Sequence, residues 1–191
     1  MIRTDMFRKK LKVEIDGEPW IMLDVNHVRP GKGQGFVRTK MKNMIQGTVV
    51  ERTYKSNETL PPATVDEKEM QFLYETGGDY SFMDNETYEQ ANLTAEVVGD
   101  AANFIYENLV CTISFYKDMP ISCDLPNFVV LEVTECEPGV KGNSAANMLK
   151  PAILETGYRL SVPLFVEQNT WIRVDTRTGE YVERCKKPED R

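Results

Sequence analysis

Residues 11–28 read LKVEIDGEPWIMLDVNHV, and their patterning decides the fold class. Val13 and Ile15 alternate with Lys12 and Glu14, Asp16-Gly17 interrupts, and a second apolar-rich run follows. An Asp-Gly pair between two such runs predicts two antiparallel strands joined by a two-residue turn, because both central positions of that turn need positive φ.

The same period of two recurs outward in both directions. GFVRTKMKNM (35–44), GTVVERTYK (47–55), the two stretches around Gly77-Gly78 (68–84), LVCTISFYKD (109–118) and MPISCDLP (119–126) all read as strands. So do NFVVLEVTECEPGV (127–140), RLSVPLF (159–165), WIRVDT (171–176) and EYVERC (180–185), the last pair joined by an Arg177-Thr178-Gly179 turn. A short helix is expected over 99–109 with Asp100 as its N-cap, and KGNSAANMLKPA (141–152) reads as a loop. Pro61-Pro62 breaks the pattern before an acidic run, which places a boundary near residue 64. Many short, evenly spaced strands predict an all-β chain of three small barrels, 1–64, 65–127 and 128–191. Each has the size of an SH3-like or OB barrel, with little room for a buried catalytic pocket.

Composition narrows the function classes. No apolar run approaches the roughly 20 residues that cross a bilayer, and the N-terminus lacks the apolar core of a secretory signal, so a cytoplasmic chain with no membrane partner is expected. Cys111, Cys123, Cys136 and Cys185 are scattered, without a CxxC pair, and read as reduced thiols instead of a disulfide framework or a zinc site. His27 is the sole histidine, with no serine or cysteine near it in sequence, and reads as a packing or surface residue. Neither GKGQG (31–35) nor PGVKGNS (138–144) has the spacing of a dinucleotide fingerprint or a P-loop. No catalytic residue, cofactor or metal is expected.

The net charge of −7 conceals an asymmetry. Residues 1–64 hold 12 Lys+Arg against 7 Asp+Glu, residues 65–127 hold 2 against 13, and residues 128–191 hold 9 against 10. One end therefore suits a polyanion and the middle is repelled by it. Within the basic third, Arg38, Lys40 and Lys42 share one face of a strand. They form either a solvated strand face or a phosphate-contacting ridge. Beside them lies Arg29-Pro30-Gly31-Lys32-Gly33-Gln34. Glycines flanking Lys32 remove Cβ bulk and allow left-handed dihedrals, and proline stiffens the approach. The loop looks built to push an amine into a narrow space.

FRKKLKVEIDGEPW, HVRPGKGQGFVRTKMKN, FMDNETYEQ and EPGVKG…KPAILETGYRLSVPLFV…VDTRTGEYVER closely resemble bacterial elongation factor P, in register over essentially the whole chain. The C-terminal signature matches at Lys150, Ala152, Gly157, Val162 and Pro163, and its final glycine is replaced by Asn169, which also tolerates positive φ. The resemblance implies an L-shaped monomer with a tRNA-like outline: an SH3-like (KOW-type) first domain and two OB domains. It implies no enzyme, but a factor that binds the 70S ribosome between the peptidyl and exit tRNA sites and relieves stalling at consecutive prolines. Arg29, Pro30, Gly31, Lys32, Gly33, Gln34, Arg38, Lys40 and Lys42 would then meet rRNA and peptidyl tRNA. Lys32 would carry a group added by a dedicated ligase. Gly142, Asn143 and Ser144 stand where the family carries a GDT-like triad facing the small subunit, a departure in that loop. A specialised paralogue with altered small-subunit contacts and a generic OB-fold nucleic-acid-binding protein are the alternative readings; the acidic middle third opposes the latter.

Overall fold

The computed structural model describes residues 1–31, 33–138 and 148–189, and antiparallel strands dominate it. In the N-terminal part, β1 (Ile2–Arg3) leads through a 3-10 turn to β2 (Lys12–Ile15) and β3 (Glu18–Val28). β4 (Phe36–Asn43), β5 (Val49–Lys55) and β6 (Thr59–Leu60) follow. β2-β3-β4-β5 form a sheet in that order, and β1 pairs with β6. Asp16 and Gly17 both have positive φ, 54° and 82°, as the Asp-Gly turn requires. Along β4 every second residue from Val37 to Asn43 is buried. Val37 and Met41 join Phe7, Val13, Trp20 and Met22 in one core, with Phe7 and Tyr54 edge-to-face at 5.5 Å.

The middle of the chain carries β7 (Val65–Thr76), β8 (Asp79–Asp84), β9 (Gln90–Thr94), helix α1 (Ala95–Val98), β10 (Val110–Tyr116) and β11 (Met119–Asp124). Their sheet runs β11-β10-β7-β8-β9. The helix expected over 99–109 is corrected: one α-turn forms earlier, and residues 99–103 are 3-10. Gly99, at φ 53°, ends the α-turn, so Asp100 lies inside the 3-10 turn and caps nothing. What fixes this segment is burial of Val98, Ala101, Phe104 and Ile105, not a polar cap.

β12 (Phe128–Cys136), β13 (Leu149–Leu154), β14 (Arg159–Pro163), β15 (Trp171–Asp175) and β16 (Glu180–Cys185) complete the chain in the order β14-β13-β12-β15-β16. β13 corrects the loop read over 141–152, whose last four residues are strand. Pro151 is tolerated there because its position on the β12 side lies past the last paired residue, Cys136 opposite Ala152, where no ladder donor is needed. Asn169 adopts φ 63°, and its N–H donates to the Val133 carbonyl at 2.8 Å, so the glycine replacement keeps the turn.

Two compact units divide the chain: Met1–Lys68 with Ile113–Ser122, and Glu69–Thr112 with Cys123–Arg191. In the first, Ala63, Tyr116 and Ile121 are buried together, with Met44 and Val65 packed against them. In the second, the Phe104 and Tyr158 rings meet at 4.6 Å, and Thr156 Oγ1 donates to the Asn103 carbonyl at 2.7 Å.

Candidate functional site

The site grows from the long β3–β4 hairpin. Its register runs from Trp20↔Asn43 to Val28↔Phe36, with one bulge between Met22 and Asp24, so residues 29–35 form the connecting loop at its far end. Lys32 itself lies outside the described residues. On either side of it Arg29, Pro30, Gly31, Gly33 and Gln34 are exposed. Gly33 has φ 115°, which only glycine adopts readily. Gly35 serves differently. A Cβ there would meet Ser56 Oγ at 2.8 Å and the Val28 carbonyl at 3.3 Å, so its glycine is needed for close approach.

The stem below the loop is held from two sides. Ser56 Oγ and Ser56 N–H both donate to the Gly35 carbonyl, at 2.5 and 3.2 Å. Thr4, fully buried, donates through Oγ1 to the Ser56 carbonyl at 2.7 Å, and its N–H donates to the Glu58 carbonyl. On the other strand, His27 Nε2 lies 3.2 Å from the Phe7 carbonyl. A carbonyl only accepts, so Nε2 carries the proton in this contact. A cavity of about 130 Å³ sits at this stem, lined by Thr4, Asp5, His27, Arg29, Phe36 and Ser56. Sequence reasoning missed Ser56 and Thr4, since partners 21 and 52 residues away leave no local signal.

The outward face of β4 presents Arg38, Lys40 and Lys42, all exposed, with the Arg38 guanidinium 5.4 Å from the Phe36 ring centroid. Their cross-strand neighbours differ. Lys40 stands between Asp24 and Glu51, whereas Arg38 faces Asn26 and Thr53, and Lys42 faces Ile21 and Val49. Asp24 is itself engaged by Lys9 at 2.9 Å, and that hydrogen bond and charge hold its carboxyl below the usual range, with Lys40 a lesser contributor. Arg38 and Lys42 are thus the less compensated cations of the ridge. Elsewhere, Gly142, Asn143 and Ser144 lie outside the described residues. A larger cavity of about 470 Å³ is lined by Glu135, Cys136, Ala152, Ile153 and Arg159 on the C-terminal sheet.

The signature positions of the C-terminal part prove structural. Lys150 is buried and donates to the Glu137 carbonyl at 2.6 Å; Ala152 and Val162 are core, and Gly157 has φ 84°.

These features define the class: a KOW-like barrel that carries a glycine-flanked lysine on a braced hairpin, followed by OB-type strands. Family models match in the same order: the elongation factor P KOW-like domain over residues 3–60, the elongation factor P OB domain over 65–123 and the elongation factor P C-terminal domain over 129–184. Elongation factor P of Desulfatibacillum aliphaticivorans is 51% identical over 187 residues, covering 98% of this chain and 100% of that one. That of Alkaliphilus oremlandii is 50% identical over 184 residues, covering 96% and 100%. A solved structure described as eukaryotic translation initiation factor 5A from Methanococcus jannaschii superposes with TM-score 0.51 at 19% identity, over 65% of this chain and 93% of that one, a likeness of fold alone. The chain belongs to the elongation factor P family of translation factors. Among the described residues no helix is long and apolar enough to cross a membrane.

Proposed function

We propose that this protein binds the 70S ribosome between the peptidyl and exit tRNA sites and stimulates peptide-bond formation where consecutive prolines stall it. The observation that carries the reading is the braced β3–β4 hairpin, which displays cations along β4 and whose connecting sequence is Arg29-Pro30-Gly31-Lys32-Gly33-Gln34. Such a stem fixes where the loop points, and the cations suit rRNA and tRNA phosphates. Proline's ring restricts its approach as donor and acceptor. Holding the peptidyl-tRNA end in a reactive geometry restores the rate through orientation and entropy, with no protein acid or base. The factor is then a positioning accessory of the ribosome and not an enzyme.

In this reading residues 1–64, 65–127 and 128–191 act as three domains of one cytoplasmic monomer. Arg29, Pro30, Gly31, Lys32, Gly33, Gln34, Arg38, Lys40 and Lys42 contact rRNA and peptidyl tRNA, and a ligase extends Lys32. Gly142, Asn143 and Ser144 meet the small subunit. The test is a reconstituted translation system reading a Pro-Pro-Pro reporter: adding the protein should raise the rate through the motif and leave a proline-free control unchanged. Equal rates with and without the protein would sink the proposal. Co-sedimentation with 70S ribosomes, against binding to free oligonucleotides, separates it from the generic nucleic-acid-binding alternative.

A further inference from the structure

We propose that the tip of the β10–β11 hairpin is a latch on the N-terminal barrel, and that Glu14, Tyr116 and Lys117 are positioning residues for the lysine-bearing loop. Glu14 lies on β2, the edge of its sheet. Its carboxylate accepts a short hydrogen bond from the Tyr116 hydroxyl and an ion pair from Lys117 at 3.2 Å. The Lys117 ammonium also sits 4.8 Å from the Tyr116 ring centroid. One carboxylate thus receives two donors from a hairpin about a hundred residues away.

The hairpin turn is shaped for this grip. Lys117 and Asp118 have φ 52° and 62°, a conformation that turns of this kind normally fill with asparagine or glycine. Two residues with Cβ atoms in left-handed backbone are unfavourable and persist only where surrounding contacts hold them. Here the contacts are the grip on Glu14 and the apolar seat beneath it, where Tyr116, Ile121 and Ala63 are buried with Met44 and Val65. The rest of β2 is stitched to the same region. Glu14 N–H donates to the Pro61 carbonyl at 2.9 Å, Ala63 N–H to the Lys12 carbonyl at 3.2 Å, and Lys12 pairs with Glu67 at 2.7 Å.

The link to the loop is mechanical. Glu14 pairs with Pro19 at one end of β3, and Val28 at its other end begins the lysine loop. That strand spans about 30 Å at ~3.3 Å per residue. A 10° slack at the latch would then swing the loop by about 5 Å, and misplacement by ~1 Å can cost two orders of magnitude in an orientation-driven reaction. The charges facing the latch are Glu14 and Lys117, with the Lys12–Glu67 pair beside them.

For its activity arm this inference rests on the proposed function, so the test uses two readouts on the full chain. Residual dipolar couplings report whether the amides of the N-terminal barrel and those of Met119–Ser122 share one alignment. Polyproline rescue is titrated with factor to separate maximal rate from half-saturating concentration. The double variant Glu14→Ala with Tyr116→Phe should split the alignment and lower the maximal rate about 10-fold or more, with half-saturation changed less than about 2-fold. Glu14→Gln, which still accepts the Tyr116 hydrogen bond, should fall between it and the wild type. A single shared alignment in the double variant overturns the latch. A rate loss no larger than the fraction of double variant unfolded at the assay temperature overturns the positioning role. If the wild type itself fails to rescue, the proposed function is overturned, and the couplings still decide the latch.

Discussion

Ser56 Oγ donates to the Gly35 carbonyl at 2.5 Å, while the Ser56 carbonyl accepts from the buried Thr4 hydroxyl at 2.7 Å. A single residue thereby ties the lysine loop's exit to the N-terminal segment. Gly35→Ala would drive a Cβ to 2.8 Å from Ser56 Oγ and 3.3 Å from the Val28 carbonyl. It should destabilise the chain by about 1–3 kcal/mol through overpacking. Ser56→Ala should cost about 1 kcal/mol for the missing hydrogen bond. Combined, they should cost less than their sum, because removing Oγ relieves the nearer clash. Chemical denaturation of the four proteins measures the coupling, and strict additivity would show that Gly35 and Ser56 do not press on each other.

Only part of this is legible in the sequence. The Asp16-Gly17 hairpin and the outward Arg38, Lys40 and Lys42 follow from local rules, since turn chemistry and a period of two need no knowledge of partners. Asn169 at positive φ is equally local. β13 is hidden because it begins inside the stretch read as a loop, and only its register, with Ala152 opposite Cys136, shows that Pro151 leaves no ladder donor missing. Asp100 has the look of a cap, but apolar anchoring of Val98 and Phe104 outweighs a polar signal when the turn is this short. The Thr4–Ser56–Gly35 brace and the Glu14–Tyr116 hydrogen bond join residues far apart in sequence, where loop-closure geometry decides and no pattern reports it.

Lys150 tests whether a signature residue acts by packing or by charge. Its stem is buried in the C-terminal sheet and its ammonium donates to the backbone carbonyl of Glu137, an exposed residue. Lys150→Ala should cost about 2–3 kcal/mol, mostly from the emptied volume. Lys150→Met keeps the stem and loses only the hydrogen bond to the Glu137 carbonyl, so it should cost about 1 kcal/mol. Equal losses in thermal denaturation would mean that the hydrogen bond, and not the stem, holds the site.

Acid sensitivity should be traceable to Asp175. Its carboxylate accepts from Arg177 Nε at 2.9 Å and Nη2 at 2.6 Å, and from the Arg177 backbone N–H at 2.9 Å. The Arg177 side-chain hydrogen bonds, chiefly, hold its carboxyl down to about 2, against an opposing desolvation. An unfolded aspartate titrates near ~3.9. The folded pKa is the lower one, so the stabilisation is fully present above about pH 5 and is lost as pH falls toward 2. Asp175→Asn removes it. The stability gap between wild type and variant should therefore close between about pH 5 and pH 2 in urea melts. A gap that stays constant across that range would show that the Arg177 pairing is not what separates the two proteins.

If the β4 ridge meets phosphates, its members should not count equally. Lys40 stands between Asp24 and Glu51, whereas Arg38 faces Asn26 and Thr53. Arg38→Glu should weaken ribosome binding and reduce the slope of log affinity against log salt by about 0.7–0.9, the share of one phosphate no longer neutralised. Lys40→Glu should change the slope less, its charge being already partly offset. Binding measured from low to moderate salt decides this. Identical slopes for wild type and Arg38→Glu would return the ridge to a solvated strand face.

Lys32 carries the sharpest expectation. A solvated loop lysine tolerates substitution, since surface changes usually stay within about 0.5 kcal/mol. The β3–β4 stem is braced through Ser56 and His27, so neither Lys32→Ala nor Lys32→Arg should disturb the fold. Their melting curves should overlay that of the wild type, and both should still sediment with ribosomes. Arginine keeps the charge, but it is planar, bulkier and differently hydrated, and it lacks the ε-amine that an acyl group would modify. An amine delivered into a tight space therefore fails in both variants, whereas a general phosphate contact survives in Lys32→Arg. Both should lose rescue of a Pro-Pro-Pro reporter, and mass spectrometry of protein from its native host should find added mass on Lys32. Full rescue by Lys32→Arg would show that only the charge matters, and full rescue by Lys32→Ala would leave the loop lysine without a role.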